Sequence, residues 1–103
     1  MEFDVKVVGG ERKAVLSGRL AFEDSAAFMQ VLAAVRLELE RSWIIDLEGL
    51  EFLDSSGIGM FLMLRDVVAR AGGKLTFHRP RGQVEKALRN AGLDGIMTIE
   101  ATN

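Results

Sequence analysis

The chain has no cysteine, one histidine (His78), one proline (Pro80) and little net charge, −2 over its length. Each scarcity removes a class of function. Without cysteine there is no disulfide, no thiolate nucleophile and no cysteine metal site. A lone histidine removes the paired-histidine zinc patterns, and no spaced carboxylate cluster suggests a calcium loop, so neither metal nor cofactor is expected. The slightly acidic balance gives no electrostatic basis for nucleic-acid binding. The longest apolar run, near Ile58–Leu64, falls far short of the ~20 residues that span a bilayer. The opening Met1-Glu2-Phe3-Asp4-Val5 carries neither a basic nor an apolar signal region, so no membrane insertion and a cytoplasmic location are expected. Low-complexity tracts, repeats and linkers are missing too.

What remains is a chain of 103 residues that is 49% hydrophobic, enough for one folded domain over residues 1–103. Phe3, Val5 and Val7 alternate with Asp4 and Lys6, a strand period, and Gly9-Gly10 marks a hairpin turn into a second strand from about Arg12 to Leu20. Ala14, Leu16, Gly18 and Leu20 share one face of it. Glu23-Asp24-Ser25 reads as a helix start, followed by Phe28, Leu32, Val35 and Leu39 at helical spacing, with Gln30, Arg36 and Glu40 off the stripe. That helix should end near Arg41 or Ser42. Trp43–Leu47 is apolar except for Asp46 and reads as a central strand covered on both faces.

A bend over Glu48–Leu53 should lead to Asp54-Ser55-Ser56-Gly57-Ile58-Gly59 and a helix from about Ser56 to Ala71, stopped by Gly72-Gly73. Ser55 or Ser56 suits its N-cap. Leu75–Phe77 predicts a strand ending at His78. Val84, Leu88 and Ala91 predict a third helix closed by Asn90 and Gly92, and Ile96–Ile99 a last strand. The order β-β-α-β-α-β-α-β implies an α/β fold, with a mostly parallel mixed sheet, an N-terminal hairpin and helices packed on the sheet.

At about 100° per residue, Met60, Phe61, Leu64, Val67, Val68 and Ala71 form the docking face of the second helix. Ile58 and Leu62 project instead with Arg65 and Asp66. This sets two large apolar side chains beside Ser55, either covered by a neighbouring loop or the first helix or exposed as a partner-docking patch, with Gly59 open to close approach. A phosphoserine carries about −1.5 to −2 charges at pH 7. At a helix N-terminus the fold tolerates it. Beside Asp54 it would concentrate negative charge on that patch and repel an apolar or acidic partner without a large conformational change.

Other chemistries are weaker. Ser55 and His78 end strands that could share an edge, which suggests a serine hydrolase, but no Gly-x-Ser-x-Gly elbow is present. Gly57-x-Gly59 lacks the rest of a phosphate-binding loop. Arg79 and Arg81 around Pro80 suit a solvated turn, or contacts to a phosphate on Ser55 or an acidic partner surface. Asp24-Ser25 is chiefly a cap signal. The Arg19–Ser25 segment lies beside the Ser55 loop if their strands are neighbours.

With these residues in view, the chain resembles a STAS domain of the anti-sigma factor antagonist type. The resemblance rests on Ile44-Ile45-Asp46-Leu47 and Phe52-Leu53-Asp54-Ser55-Ser56-Gly57-Ile58-Gly59. Leu16-Ser17-Gly18-Arg19-Leu20, Val84-Glu85-Lys86-Ala87-Leu88 and Gly92-Leu93 support it. It implies a four-helix STAS fold, the fourth helix a short one near Leu93-Asp94. It also implies a non-enzymatic module that works by partner switching. The unphosphorylated protein binds an anti-sigma factor, often a GHKL-type serine kinase; phosphorylation of Ser55 ends binding, and a PP2C-type phosphatase reverses it. The partner surface would comprise Asp54, Ser56, Gly57, Ile58, Gly59, Leu62 and Asp24. In one place the chain departs from the pattern: Gly18-Arg19-Leu20 is followed by Ala21-Phe22-Glu23-Asp24, where the family often has an acidic residue soon after Gly-x-Leu. Other family members act on diguanylate cyclases or flagellar and biofilm regulators, serve as constitutive subunits of lipid-transport complexes, or form cytoplasmic tails of anion transporters.

Overall fold

The computed structural model describes residues 1–39 and 41–100, so Glu40, placed off the apolar stripe above, lies outside the described residues. A hairpin of β1 (Glu2–Val8) and β2 (Glu11–Leu20) opens the chain. Gly9 and Gly10 both have positive φ, 58° and 89°, as a two-residue type I′ turn requires. From β2 onward, strands and helices alternate: α1 (Ser25–Arg36), β3 (Ser42–Leu53), α2 (Ser55–Arg70), β4 (Lys74–His78), α3 (Gly82–Asn90) and β5 (Thr98–Glu100). Short 3-10 turns occupy Phe22–Asp24 and Leu93–Gly95, the second where the short fourth helix was expected. The sheet order is β1-β2-β3-β4-β5, with β1 antiparallel to β2 and the remaining pairs parallel. No described helix is long and apolar enough to cross a membrane.

Successive right-handed crossovers that advance in one direction put their helices on one face of a sheet. Ala14, Ile45, Phe77 and Ile99 stand in register across that face. They join Phe28, Phe61, Val84 and Leu88 from the three helices in one apolar cluster. Phe61 links the layers, its ring 6.0 Å from Phe28 on α1 and 4.9 Å from Phe77 on β4. The expectation that β3 is covered on both faces is therefore corrected. The alternate residues Val15, Asp46, His78 and Glu100 share the other face. That face carries charge, not a second helix layer.

Other boundaries differ from the sequence reading, the last strand being Thr98–Glu100 and not Ile96–Ile99. The helix α1 ends at Arg36, not near Arg41. The Glu38 carbonyl accepts the Arg41 N–H in a tight turn (3.1 Å) and the Trp43 indole N–H (3.0 Å), while the Glu38 carboxylate holds Arg12 at 2.6 and 2.7 Å. The expected bend over Glu48–Leu53 is strand. Between Val15 and Ser17, and again between Gly18 and Arg19, β3 gains one residue on β2. Each such bulge adds a residue to one strand. The buried residues of this half, Leu47, Leu50 and Leu53, accordingly recur every third position and hide the strand period.

On the open face, Asp46 is buried beneath longer side chains. Burial by itself would push its carboxyl up. The Glu48 N–H on Oδ1 (3.0 Å), the Arg79 guanidinium on Oδ2 (2.7 Å) and Lys13 at 3.9 Å outweigh that and hold the pKa below its ordinary value. The unfolded chain then takes up this proton at a higher pH than the folded one. The stability it contributes is full above the ordinary carboxylate pKa of about 4 and is lost as the pH falls through the folded value. Asp46→Asn is expected to lower stability by ~2 kcal/mol at pH 7 and to flatten the further loss below pH 4. Denaturant titrations of both proteins at the two pH values check this.

Candidate functional site

At its carboxyl end, β3 runs beside the end of β2, with Leu20 opposite Leu53. The Arg19–Ser25 segment therefore does flank the Ser55 loop. Asp54 joins the two. Its N–H donates to the Leu20 carbonyl (3.3 Å), its Oδ1 accepts from the Gly57 N–H (2.9 Å), and its Oδ2 accepts from the Phe22 N–H (3.2 Å). Asp54, not either serine, is the N-cap of α2. The cap goes to the residue that leaves the strand extended while its side chain reaches the third helical N–H, and β3 ends one residue before Asp54. Ser55 is thereby the first helical residue, exposed to solvent, and Ser56 the half-buried second.

The first two N–H groups of a helix lack intrahelical carbonyl partners. Here they belong to Ser55 and Ser56, whereas those of Gly57 and Ile58 are taken by the Asp54 carboxylate and carbonyl. A negative group on the Ser55 oxygen would face these N–H groups and the positive end of the helix dipole.

Gly57 is buried where α2 crosses the ends of β2 and β3. A Cβ built there collides with the Leu53 side chain and comes within 2.6 Å of the Leu20 carbonyl. Gly59 is exposed, with nothing within 4 Å of a built Cβ. Gly59→Ala is therefore expected to raise stability by ~1 kcal/mol, measured as an increase in the denaturant midpoint.

Ile58 and Leu62 fall between the two readings, neither fully covered nor fully exposed. Both are half-buried against the core cluster. Their side of α2 also carries Arg65, whose Nε donates to the Ile96 carbonyl (3.0 Å), and it faces α3 and the turn that follows. The outermost ridge of α2 is instead Ser55, Gly59, Met63, Asp66 and Arg70. Between α2 and α3 lies an open groove of about 410 Å³, with Ser55, Asp54 and Ile58 on one wall and Gln83, Lys86 and Ala87 on the other.

Two α3 residues that sequence reasoning did not single out shape this site. Gln83 uses its amide as a strand would, accepting from the Leu53 N–H and donating to the Leu53 carbonyl, both at 2.9 Å. Lys86 brings a cation to the groove that Ser55 lines. The nearest sequence signal was the apolar spacing of Val84 and Leu88, which places Gln83 and Lys86 off the buried stripe.

Asp24 belongs to the adjoining turn. Its Oδ2 accepts from the Ala21 N–H (3.0 Å) and its Oδ1 lies 2.8 Å from the Met1 amino group, while its side chain makes no cap bond to α1. Phe22 in the same turn is 72% exposed.

The remaining candidates fall elsewhere. Arg79 holds Asp46, and Arg81 donates to the Glu48 carbonyl at 2.6 Å, so both are engaged across the open face and not at Ser55. His78 pairs with Glu100 at 2.9 Å on that same face, level with Asp46. Asp46 and Leu53 are separated by seven strand steps, roughly 20 Å. Ser55 and His78 therefore do not meet, and the hydrolase arrangement is absent.

No curated protein sequence matches the chain significantly. Solved structures do. An anti-sigma factor antagonist from Mycobacterium paratuberculosis superposes with a TM-score of 0.86 at 22% identity, covering 98% of this chain and 86% of that one. The anti-sigma factor antagonist SpoIIAA in its unphosphorylated form gives 0.74 at 25% identity, covering 95% and 87%. The Bacillus cell fate determinant SpoIIAA in its phosphorylated form gives 0.69 at 23%, covering 95% and 90%. The protein-family model described as "Mlab, STAS domain" matches residues 6–99, nearly the whole chain. The chain belongs to the STAS domain family.

Proposed function

We propose that this protein is an anti-sigma factor antagonist that works by partner switching. The unphosphorylated form binds an anti-sigma factor that is also a GHKL-type serine kinase. Transfer of phosphate to Ser55 ends the complex, and a PP2C-type phosphatase restores it. The observation that carries this reading is an exposed serine at the first position of α2, on the wall of an open groove between α2 and α3. Relatives of the same fold include SpoIIAA in unphosphorylated and phosphorylated forms.

In this reading each residue has a defined part. Ser55 accepts the phosphate. Asp54 holds the two loops together, and Asp24 shapes the turn that presents Phe22. Ile58, Leu62 and the bare backbone at Gly59 supply contact surface. Ser56 borders it, and Gly57 permits the close crossing beneath. The added charge sits beside the Asp54 carboxylate and repels an acidic or apolar partner face.

A second reading is a constitutive STAS interaction subunit in which Ser55 is merely helical. It is favoured by the Asp54 cap, which is complete without any phosphate. Incubation with the cognate kinase and ATP separates the two. The switch predicts one phosphate per chain, mapped to Ser55 and lost in Ser55→Ala. A chain that stays unmodified after prolonged incubation with active kinase and ATP supports the constitutive subunit.

A further inference from the structure

β1 is an edge strand of the sheet, and among the described residues no strand pairs with its outer side. Residues 4–8 are all exposed, among them Val5 (37%), Val7 (63%) and Val8 (54%). In a two-residue hairpin the residues flanking the turn, Val8 and Glu11, form a hydrogen-bonded pair, and such pairs alternate along the ladder. Val8, Lys6, Asp4 and Glu2 therefore spend their N–H and C=O groups on β2. The N–H and C=O groups of Phe3, Val5 and Val7 point outward. An exposed edge of this kind is a template for another strand.

We infer that β1 pairs with β1 of a second copy of this chain, antiparallel about a two-fold axis through Val5. Charge complementarity selects this occupant and this register. With Val5 opposite Val5, Asp4 faces Lys6 of the second copy and Lys6 faces its Asp4, giving two ion pairs on the open face. Cross-strand pairs of opposite charge are stabilising and like charges destabilising. Sliding the register by two residues sets Asp4 against Asp4 in one direction, a repulsion added to its two Lys6–Glu2 pairs, or Lys6 against Lys6 in the other with no ion pair to offset it.

The same alignment puts the outward N–H and C=O groups of Phe3, Val5 and Val7 opposite one another, for about six hydrogen bonds. On the helix-bearing face it stacks Val5 on Val5 and Val7 on Phe3, covering apolar surface that each copy leaves open. A symmetric contact of this kind closes on itself, so association stops at the dimer. The two five-stranded sheets become one, and the Ser55 groove lies at the far side of β3, clear of the contact.

Charge exchange tests this directly. Sedimentation velocity of the full chain over a dilution series reaching ~1 mM is expected to show a monomer–dimer equilibrium. Asp4→Lys and Lys6→Asp each place like charges opposite one another, and each should weaken self-association about tenfold or more. Mixing the two variants in equal amounts restores both ion pairs and should restore the dimer. The doubly exchanged chain should dimerise as the wild type does. Val5→Pro removes an outward N–H and no bond to β2, so it should abolish the dimer while the far-ultraviolet circular dichroism is kept. A wild-type chain that stays monomeric throughout overturns the proposal. So does a mixture of folded charge variants that remains monomeric, or single variants that dimerise as tightly as wild type.

Discussion

Ser55→Asp is expected to weaken binding to the proposed anti-sigma partner about a hundredfold, or ~3 kcal/mol, while Ser55→Ala binds at least as tightly as the wild type. The reasoning is local. Ser55 is the exposed first residue of α2, and its side chain leaves the helix beside Asp54 and the groove wall. A carboxylate there is compatible with the helix terminus, so the folded chain accepts it. A partner surface that has to cover it is not compensated: it must desolvate the charge or meet it with charge of its own. Ser55→Ala adds no charge and cannot be phosphorylated, so it should trap the complex when kinase and ATP are present. Titration calorimetry of both variants against the partner gives the comparison, and equal affinities would remove the electrostatic account.

Gly57→Ala is expected to destabilise the fold by ~2 kcal/mol and to reduce partner binding as well, in contrast to the same change at Gly59. Both glycines lie in the first turns of one helix, and alanine is the better helix former at each by ~1 kcal/mol. At Gly59 that preference acts unopposed, because the built methyl meets nothing. At Gly57 the methyl runs into Leu53 and the Leu20 carbonyl, which are the ends of the two strands that carry the site. Relief requires β2 and β3 to part or α2 to lift, and either motion stretches the Asp54 bonds to Gly57 and Phe22. Stability measured by chemical denaturation should therefore move in opposite directions for the two variants. A neutral Gly57→Ala would mean that the crossing is looser than its geometry indicates.

Much of the architecture was legible because its signals are local. Gly9-Gly10 fixes a turn within two residues, Phe28, Leu32 and Val35 repeat at one helical spacing, and Gly72-Gly73 stops α2 by returning N–H groups to Ala69 and Val68. The Asp54–Gly59 motif was legible for the same reason. What escaped depends on residues distant in sequence. The cap of α2 falls to Asp54 instead of Ser55 or Ser56, because pairing with β2 carries β3 as far as Leu53. That pairing includes two bulges, which turned an alternating strand into one with apolar residues every third position.

The open face was equally hidden. Trp43–Leu47 has the composition of a strand buried on both sides, yet Asp46 is buried by Arg79, 33 residues further on. Arg79 itself adopts a positive φ of 56°, unusual for a side chain other than glycine or asparagine, and nothing in His78-Arg79-Pro80 announces it. The half-burial of Ile58 and Leu62 has a related cause. Helical projection shows which way a side chain points but not what waits there, and here both side chains pack against the edge of the core cluster.

The most direct measurement compares the unphosphorylated protein with the same protein phosphorylated to completion at Ser55, recording partner affinity and thermal unfolding midpoint on each. The account predicts that affinity falls about a hundredfold while the midpoint stays nearly unchanged, because the charge is added outside the packed core and next to free helical N–H groups. An affinity that survives phosphorylation, or one that falls only together with the unfolding midpoint, would contradict it.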